Sequence, residues 1–174
     1  MTINLICAID KNGGIGYKNE LLARIHNDLK RFKELTIGES DGGNFILMGR
    51  NTYESLPSNL PNRSNIIVSR NHKYKQPVGT FLYQSIADVI TEYKNYNEEN
   101  GDLWVAGGQS VYEQTLKYAD RIYLTIIHHE FQNVDSHFPT FNLDEWNVIE
   151  LSEDYTDEES GLEYHFITYE RIKL

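Results

Sequence analysis

The sequence is poor in cysteine, in basic residues and in long apolar runs. Cys7 is the only cysteine among 174 residues, so no disulfide can form within the chain, and a reducing compartment fits. Lysine and arginine total 16 against 26 acidic residues, a net charge of −10. This balance argues against nucleic acid or an anionic membrane as the main partner, because both bind basic surfaces. The apolar run at 3–9 is short and meets Asp10 at once, which is typical of a buried strand rather than a signal peptide or membrane span. We therefore expect a cytoplasmic protein.

A hydrophobic content of 40% over this length predicts one globular domain spanning residues 1–174. Apolar runs predict strands at 3–9, 44–48, 65–70, 80–84, 103–108 and 121–131, the fifth of which runs into paired glycines. Helical spacing between them predicts helices around 25–37, 49–56, 85–97 and 110–119, and the glycine-bearing segment 10–20 predicts a loop. This alternation indicates a mostly parallel sheet covered by helices on both faces. The runs 145–154 and 162–172 predict an antiparallel hairpin added at the sheet edge.

An acid interrupts the apolar stripe of the first predicted helix. Ile25, Leu29, Phe32 and Leu35 recur at helical spacing, and Asp28 falls on the same stripe. One interpretation is a residue of the first helical turn, where negative charge suits the helix dipole. The other is a carboxylate that faces a cleft, has a raised pKa and binds a planar pair of donors on a ligand. The opposite helix face carries Lys30, Arg31, Lys33 and Glu34.

Three predicted strands end in residues that suit anions. In Val105-Ala-Gly-Gly-Gln-Ser110, two glycines would let a ligand approach the backbone, and the next helix could offer amides to phosphate. A plain tight turn explains this segment as well, and the motif is not the GxGxxG of a standard Rossmann site. Arg50 and Ser69-Arg70 end two other strands, where an arginine can bind phosphate bidentately.

Other chemistries have less support in the sequence. His128 and His129 are neighbours in a predicted strand, so their side chains point to opposite faces, and the other histidines have no metal-ligand spacing. The acidic cluster at 153–159 predicts a solvated loop, with metal binding as the weaker alternative. The segment around Ser110 lacks the closing glycine of a nucleophile elbow. We therefore predict neither a metal site nor a serine hydrolase.

Taken together in chain order, eight segments resemble the dihydrofolate reductase family over nearly the whole chain. They are ICAID (6–10), GGIGYKNELL (13–22), NDLKRFKELT (27–36), MGRNTYESL (48–56), LPNRSNIIVSR (60–70), VAGGQSVYEQ (105–114), IYLTII (122–127) and VDSHFP (134–139). The resemblance implies an α/β fold with an eight-stranded, mainly parallel sheet, flanking helices and a lobe at about 44–100 that holds the adenosine end of NADPH. The implied reaction is hydride transfer from NADPH to 7,8-dihydrofolate. Separately, the pattern leaves no apolar surface stripe unused, so we expect a monomer.

The resemblance also implies roles for residues of the substrate site. Asp28 would bind the pterin's 2-amino group and ring nitrogen, Thr125 would hydrogen-bond that acid, and a water would be the immediate proton donor. Arg63 would pair with the carboxylate of the glutamate tail. The residues implied as walls of the substrate site are Ile6, Cys7, Ala8, Leu29, Phe32, Leu56, Ala106 and Tyr112.

For the cofactor, the resemblance implies contacts from strand ends and loops. Gly107 and Gly108 match a glycine pair joined by a cis bond, and Ser69 with Arg70 matches a pocket for the 2′-phosphate of NADPH. The other residues implied for NADPH are Ala8, Ile15, Gly16, Asn19, Leu21, Gly49, Arg50, Asn51, Thr52, Val68, Gln109, Ser110, Val111 and Tyr112.

The chain departs from the family just before Asp28. Bacterial members usually carry Leu-Pro-Trp where this chain has Leu21-Leu22-Ala23, and Leu-Pro where it has Ile25-His26. Missing prolines predict a less constrained segment at 12–25. Two alternatives stay open on the sequence: a related pteridine or pyrimidine reductase, and a non-catalytic module that keeps NADPH binding or only the fold.

Overall fold

A computed structural model describes residues 2–38, 43–95 and 101–173 of the chain. These residues form twelve strands and four α-helices, and the helices all lie between β3 and β8 in the chain. The strands are β1 (Ile3–Ile9), β2 (Gly14–Tyr17), β3 (Glu20–Leu21), β4 (Asn44–Gly49), β5 (Arg63–Val68), β6 (Thr80–Tyr83), β7 (Leu103–Val105), β8 (Arg121–Ile127), β9 (Ser136–His137), β10 (Trp146–Leu151), β11 (Tyr155–Thr156) and β12 (Glu163–Arg171). The helices are α1 (His26–Ile37), α2 (Arg50–Glu54), α3 (Ile86–Asn95) and α4 (Gln109–Thr115). Short 3-10 turns follow at Leu116–Tyr118 and Leu143–Glu145.

The main sheet combines parallel and antiparallel strand pairs, as predicted. Its strand order is β10-β12-β8-β1-β7-β4-β5-β6, and β11 pairs with β12 outside this path. Pairing is parallel from β8 through to β6. β12 runs antiparallel to both β8 and β10. This arrangement confirms an eight-stranded, mainly parallel sheet with an antiparallel C-terminal hairpin at one edge.

Some predicted elements were wrong. The strands predicted at 65–70 and 103–108 end earlier, at Val68 and Val105. The segment 10–20, predicted as a loop, forms β2 and β3, which build a separate three-stranded sheet with β9. Two-residue partners such as β3 and β9 leave no periodicity that a sequence reading could detect. The strand predicted at 121–131 ends at Ile127, and the chain then leaves the sheet. The helix predicted at 85–97 is described as far as Asn95, and its last two residues lie outside the described residues.

The core lies on both faces of the sheet, as predicted for parallel strands between helices. On one face, residues of α3 and α4 such as Val89 and Val111 pack against Leu5, Leu47 and Ile122. On the other face, Phe32 of α1 and Tyr53 of α2 pack around Ile46, Met48 and Trp104. No helix within the described residues is long and apolar enough to span a membrane.

The side chain of Asp10 fixes the turn that follows β1. Its carboxylate is almost fully buried and accepts hydrogen bonds from the amides of Asn12 (2.9 Å), Gly14 (2.8 Å) and Phe131 (3.2 Å). These bonds join the start of the small sheet to the end of the main one. Because the Gly14 bond is buried and the other two are partly buried, these backbone donors need an acceptor at this position.

Replacing this acceptor gives a stability prediction. Asp10→Asn keeps the shape but turns one acceptor oxygen into a donor, so a buried amide loses its partner. We expect a fall of about 1–3 kcal/mol in the free energy of unfolding, measured by urea denaturation. The exposed Asp144→Asn variant is the control. Equal stability of the two variants would contradict the structural role of Asp10.

Candidate active site

The carboxylate of Asp28 lies where α1 meets the sheet. Ile25 precedes the helix with extended backbone and is only 1% exposed, and this anchors the first turn against the core. Asp28 therefore occupies the first helical turn, and its Oδ1 accepts a 2.6 Å hydrogen bond from the hydroxyl of Thr125 on β8. Burial raises the pKa of Asp28, while the Thr125 hydrogen bond and the charge of Arg31 oppose the rise. Asp28 thus lies in the first helical turn, as the first interpretation predicts, and also has the raised pKa that the second predicts.

Apolar side chains extend from this carboxylate along α1. Ile6, Phe32, Leu56 and Ala106 belong to one packed cluster built on β1, α1 and the ends of α2 and β7. Leu29, one residue after Asp28, leaves 40% of its surface exposed. Ala8 joins another cluster with Ile25 and Ile127, directly across β1–β8 from Thr125. Of the eight residues predicted as substrate walls, Ile6, Phe32, Leu56 and Ala106 therefore share one cluster, whereas Ala8 packs in another and Leu29 is exposed.

Cys7 and Tyr112, two of the residues predicted as substrate walls, form a neutral pair in which Tyr112 is buried and Cys7 is partly buried. The Tyr112 hydroxyl donates a 2.7 Å hydrogen bond to the carbonyl of Ile6. Burial raises the pKa of the Cys7 thiol to about 12, with a smaller rise from Asp28 and a lowering by Tyr112. Burial also raises the pKa of Tyr112. The thiol is therefore neutral at physiological pH and is not an activated nucleophile.

Arg63 lies near the other end of α1. Its guanidinium donates hydrogen bonds to the hydroxyl of Thr36 (2.8 Å) and to the carbonyl of Pro61 (2.9 Å), and burial lowers its pKa. Thr36 follows Asp28 by eight residues, a rise of about 12 Å along a helix. A ligand that contacts both Asp28 and Arg63 must therefore be elongated and carry an anion at its far end.

Glycines lie at the carboxyl ends of two central strands of the main sheet, β4 and β7. The Gly49 amide donates a 2.8 Å hydrogen bond to the carbonyl of Gly107, and the Gly107–Gly108 bond is cis, as the resemblance predicts. Gly107 has a φ of +97°, and an added Cβ would lie 2.9 Å from the ring of Tyr112. An added Cβ at Gly49 would lie 3.2 Å from Val111. Only glycine fits at Gly107, and these positions leave bare backbone at the strand ends.

Predicted anion-binding residues follow three neighbouring strands of the sheet. α4 begins at Gln109 with Gly108 as its N-cap, and α2 begins at Arg50 with Gly49 as its N-cap. Neither N-cap has a capping side chain, and in α4 the amide of Val111 donates to the carbonyl of Gly108. Asn51, Thr52, Ser110 and Val111 lie in these first turns. Val68 ends the adjacent strand β5, and Ser69 and Arg70 directly follow it. Helix N-termini, an arginine and a buried serine suit phosphate groups, so the residues present fit a phosphorylated dinucleotide such as NADPH.

The small sheet carries remaining residues predicted for the cofactor, and it contacts α4 at the carboxyl end of β7. Ile15 packs against the core, whereas Asn19 has a φ of +63° in the turn and Leu21 is exposed. An added Cβ at Gly16 would lie 2.9 Å from the carbonyl of Glu20, so the β2–β3 hairpin has no room for a larger residue there. The side chain of Gln109 accepts a hydrogen bond from the His137 amide of β9, which ties the small sheet to α4.

Sequence reasoning missed Arg31. Helical spacing places it on the face of α1 opposite the apolar stripe, but its guanidinium lies 4.4 Å from the centroid of the Phe166 ring and pairs with Glu150 at 2.5 Å. Its charge lowers the pKa of Asp28, against the effect of burial. The spacing of three residues after Asp28 on a helix is the one available signal of this proximity.

The segment that departs from the family is held by other contacts. Ala23 packs with Ile25, Ile127 and Tyr164 in one apolar cluster. The His26 amide, which a proline could not offer, donates a long 3.4 Å hydrogen bond to the carboxylate of Asp157. The C-terminal hairpin therefore contacts the first turn of α1 at this position.

Comparison with known proteins identifies the family. The family model described as dihydrofolate reductase matches residues 2–171. The chain is 37% identical to the dihydrofolate reductase of Bacillus subtilis (strain 168), covering 97% of this chain and 94% of that protein. It is 33% identical to the dihydrofolate reductase of Staphylococcus haemolyticus, with coverage of 99% and 98%.

A solved structure agrees with these relatives. Dihydrofolate reductase from Enterococcus faecalis, complexed with NADP(H) and RAB-propyl, superposes with a TM-score of 0.86 and 29% sequence identity, over 99% of this chain and 97% of that one. The sequence matches and this superposition favour dihydrofolate reduction over the two alternatives left open by the sequence. The chain therefore belongs to the dihydrofolate reductase family, whose activity is the NADPH-dependent reduction of dihydrofolate.

Proposed function

We propose that Asp28 is the residue that binds and polarises the pterin of dihydrofolate. The observation that carries this role is the carboxylate with a raised pKa at the start of α1, held by Thr125 and bordered by apolar side chains. A carboxylate in such a place gains more from a bidentate donor pair than one in water does. The negative charge of Asp28 favours protonation of the bound ring, and a water is the immediate proton donor.

Thr125 is proposed as a positioning residue for this acid. Its side chain is 3% exposed, and its hydroxyl has one hydrogen-bond acceptor in Asp28 Oδ1 at 2.6 Å. This bond fixes which oxygen remains available toward the cleft. The proposed apolar walls, Ile6, Cys7, Ala8, Leu29, Phe32, Leu56, Ala106 and Tyr112, exclude water from the ring and align it.

NADPH supplies the hydride when it is bound, and this chain supplies binding and orientation. We propose that Arg50, Asn51 and Thr52 with Gln109, Ser110 and Val111 hold the phosphates, and that Ser69 and Arg70 hold the 2′-phosphate. Gly49, Gly107, Gly108 and Val68 offer backbone or apolar contact. Ala8, Ile15, Gly16, Asn19, Leu21 and Tyr112 form the nicotinamide side. Support comes from the three neighbouring strand ends that carry these residues.

We further propose that the chain is a single domain in which residues of about 44–100 form the adenosine-binding lobe. β4, β5 and β6 with α2 and α3 make up the described part of this lobe. A monomer in the cytoplasm agrees with the acidic surface charge and the single cysteine. Loss of NADPH absorbance on addition of dihydrofolate is the direct assay, and NADPH binding without turnover would contradict the catalytic role.

Asp28→Asn tests the proposed role of the acid in catalysis. The variant keeps the side-chain shape and removes the charge that favours protonation of the ring. We expect the turnover rate at neutral pH to fall roughly 10²–10⁴-fold, the range typical of acid–base groups. Glu34→Gln on the exposed side of the same helix is the matched control. Activity of Asp28→Asn close to that of the control would show the proposed role to be wrong.

The raised pKa of Asp28 also predicts a pH-dependent stability in the free protein. Between the ordinary pKa of aspartate and the raised value, the folded state binds more protons than the unfolded state, so stability falls as pH rises through this window. Asp28→Asn removes this dependence. The variant should gain stability relative to the wild type as pH rises from acid to neutral, as measured by urea unfolding without ligands. If the stability difference between Asp28→Asn and the wild type does not change with pH, the pKa of Asp28 is not raised. The exposed Glu158→Gln variant is the control.

Arg63→Ala tests how the far end of the substrate is held. Losing a charge-assisted bidentate pair should raise the Michaelis constant for dihydrofolate roughly ten- to hundredfold, with little change in kcat or in the constant for NADPH. Arg70→Ala should instead raise the Michaelis constant for NADPH, with little change in the constant for dihydrofolate. A fall in kcat of Arg63→Ala with an unchanged constant for dihydrofolate would rule out a binding role.

A further inference from the structure

Two histidines and one aspartate converge at the C-terminal edge of the main sheet. His128 Nε2 lies 2.7 Å from His165 Nδ1, and Asp154 Oδ1 lies 3.5 Å from the first nitrogen and 3.6 Å from the second. The three ligand atoms lie within 4.8 Å of one another. Both imidazoles are largely buried, whereas the carboxylate is open to solvent. This cluster, which we call the His–His–Asp cluster, belongs to no part of the proposed active site.

Backbone pairing brings the two histidines together. His128 directly follows β8, and its amide donates a 2.8 Å hydrogen bond to the carbonyl of Glu163, the first residue of β12. His165 lies two residues further along β12 and pairs across the ladder with Ile126. The two imidazoles therefore project from neighbouring strands whose register is fixed by a long antiparallel ladder.

The same strand fixes Asp154. The preceding Ser152 exchanges two hydrogen bonds with the backbone of Phe166, at 2.8 and 2.9 Å. The following residue, Tyr155, pairs with Tyr164 in the β11–β12 ladder. The backbone of Asp154 is thus held between two anchors that flank His165, which keeps this residue beside the cluster.

The cluster lies on the face of the sheet away from Asp28. Tyr164 and Phe166, on either side of His165, pack with Ile25 and Ala23 at the start of α1. Side chains alternate along a strand, so His165 projects from the opposite face. A ligand in the cluster would therefore not compete with one at Asp28.

The separations approach those of ligands around a bound transition-metal ion. Three points with these separations share a centre about 2 Å from each, which is close to the roughly 2.0–2.2 Å of zinc–nitrogen and zinc–oxygen bonds. Tetrahedral ligands at such bond lengths are about 3.3 Å apart. The two distances to Asp154 are already near this value, and the two imidazoles would have to separate by roughly 0.6 Å.

We propose that the His–His–Asp cluster binds one divalent transition-metal ion of the zinc class. Two imidazole nitrogens and one carboxylate oxygen suit zinc better than magnesium or calcium, which prefer all-oxygen sites. Three protein ligands leave a fourth position to water. The net charge of −10 favours cation binding at this edge. The ion would join β8, β12 and the connection between β10 and β11, so its effect is to stabilise the C-terminal hairpin.

Calorimetric titration of the full-length, tag-free protein with zinc chloride tests the site directly. We expect saturable binding of one ion per chain. His128→Gln, His165→Gln and Asp154→Asn should each raise the Kd more than about tenfold, since each removes a ligand. The exposed His72→Gln and the neighbouring Glu153→Gln are matched controls that remove one histidine or one charge and should bind like the wild type. Absence of saturable binding, or equal Kd values for ligand and control variants, would overturn the proposal.

A thermal measurement gives an independent readout. Zinc should raise the Tm of the wild type in a concentration-dependent way, because an ion that binds only the folded state stabilises it by mass action. His128→Gln and Asp154→Asn should lose this shift, and these two keep the test open if His165→Gln does not fold. All three variants should retain dihydrofolate reduction, so failure of the zinc site is distinguishable from failure of the active-site assignment. A zinc-induced shift of the same size in His128→Gln would contradict the proposal.

Discussion

The parallel pairing of β1 with β7 on one side and β8 on the other is the constraint on which the active site depends. Because the three strands share a direction, their carboxyl ends meet at one edge, where ligands of open α/β sheets bind. β7 leads there into Gly107 and Gly108, β8 carries Thr125, and β1 carries Ala8 opposite Thr125. A shift of one residue in the β1–β8 register would turn Thr125 away from Asp28.

The second constraint is electrostatic. Asp28 is held in a place that disfavours its charge, and one neutral hydroxyl and the nearby Arg31 compensate for this only in part. A residue that destabilises the free protein is expected where a ligand provides the missing donors. The same burial leaves Cys7 and Tyr112 neutral, so Asp28 is the charged group of this pocket. In the proposed substrate site, the chemistry therefore depends on a single carboxylate and its hydrogen-bond partner.

The segment between β1 and α1 is organised from a distance. Asp10 and β9 hold its first half, and Asp157 of the C-terminal hairpin contacts its end through the His26 amide. The family's usual prolines would restrict this segment through φ, whereas the contacts made here are hydrogen bonds from remote parts of the chain. Such bonds stabilise one folded arrangement but leave the unfolded chain unrestricted.

The sequence by itself determined the alternation of strands and helices, the C-terminal hairpin and the position of Asp28 in the first turn of α1, because these depend on local periodicity and on neighbours three or four residues away. Motifs in family order also predicted the glycine strand ends and the cis bond between Gly107 and Gly108. Only the tertiary structure decided the small sheet at 14–21, the partners of Arg31 and the approach of His128, His165 and Asp154. Histidines separated by 37 residues come into contact through the register of two strands, and no spacing along the chain encodes that register.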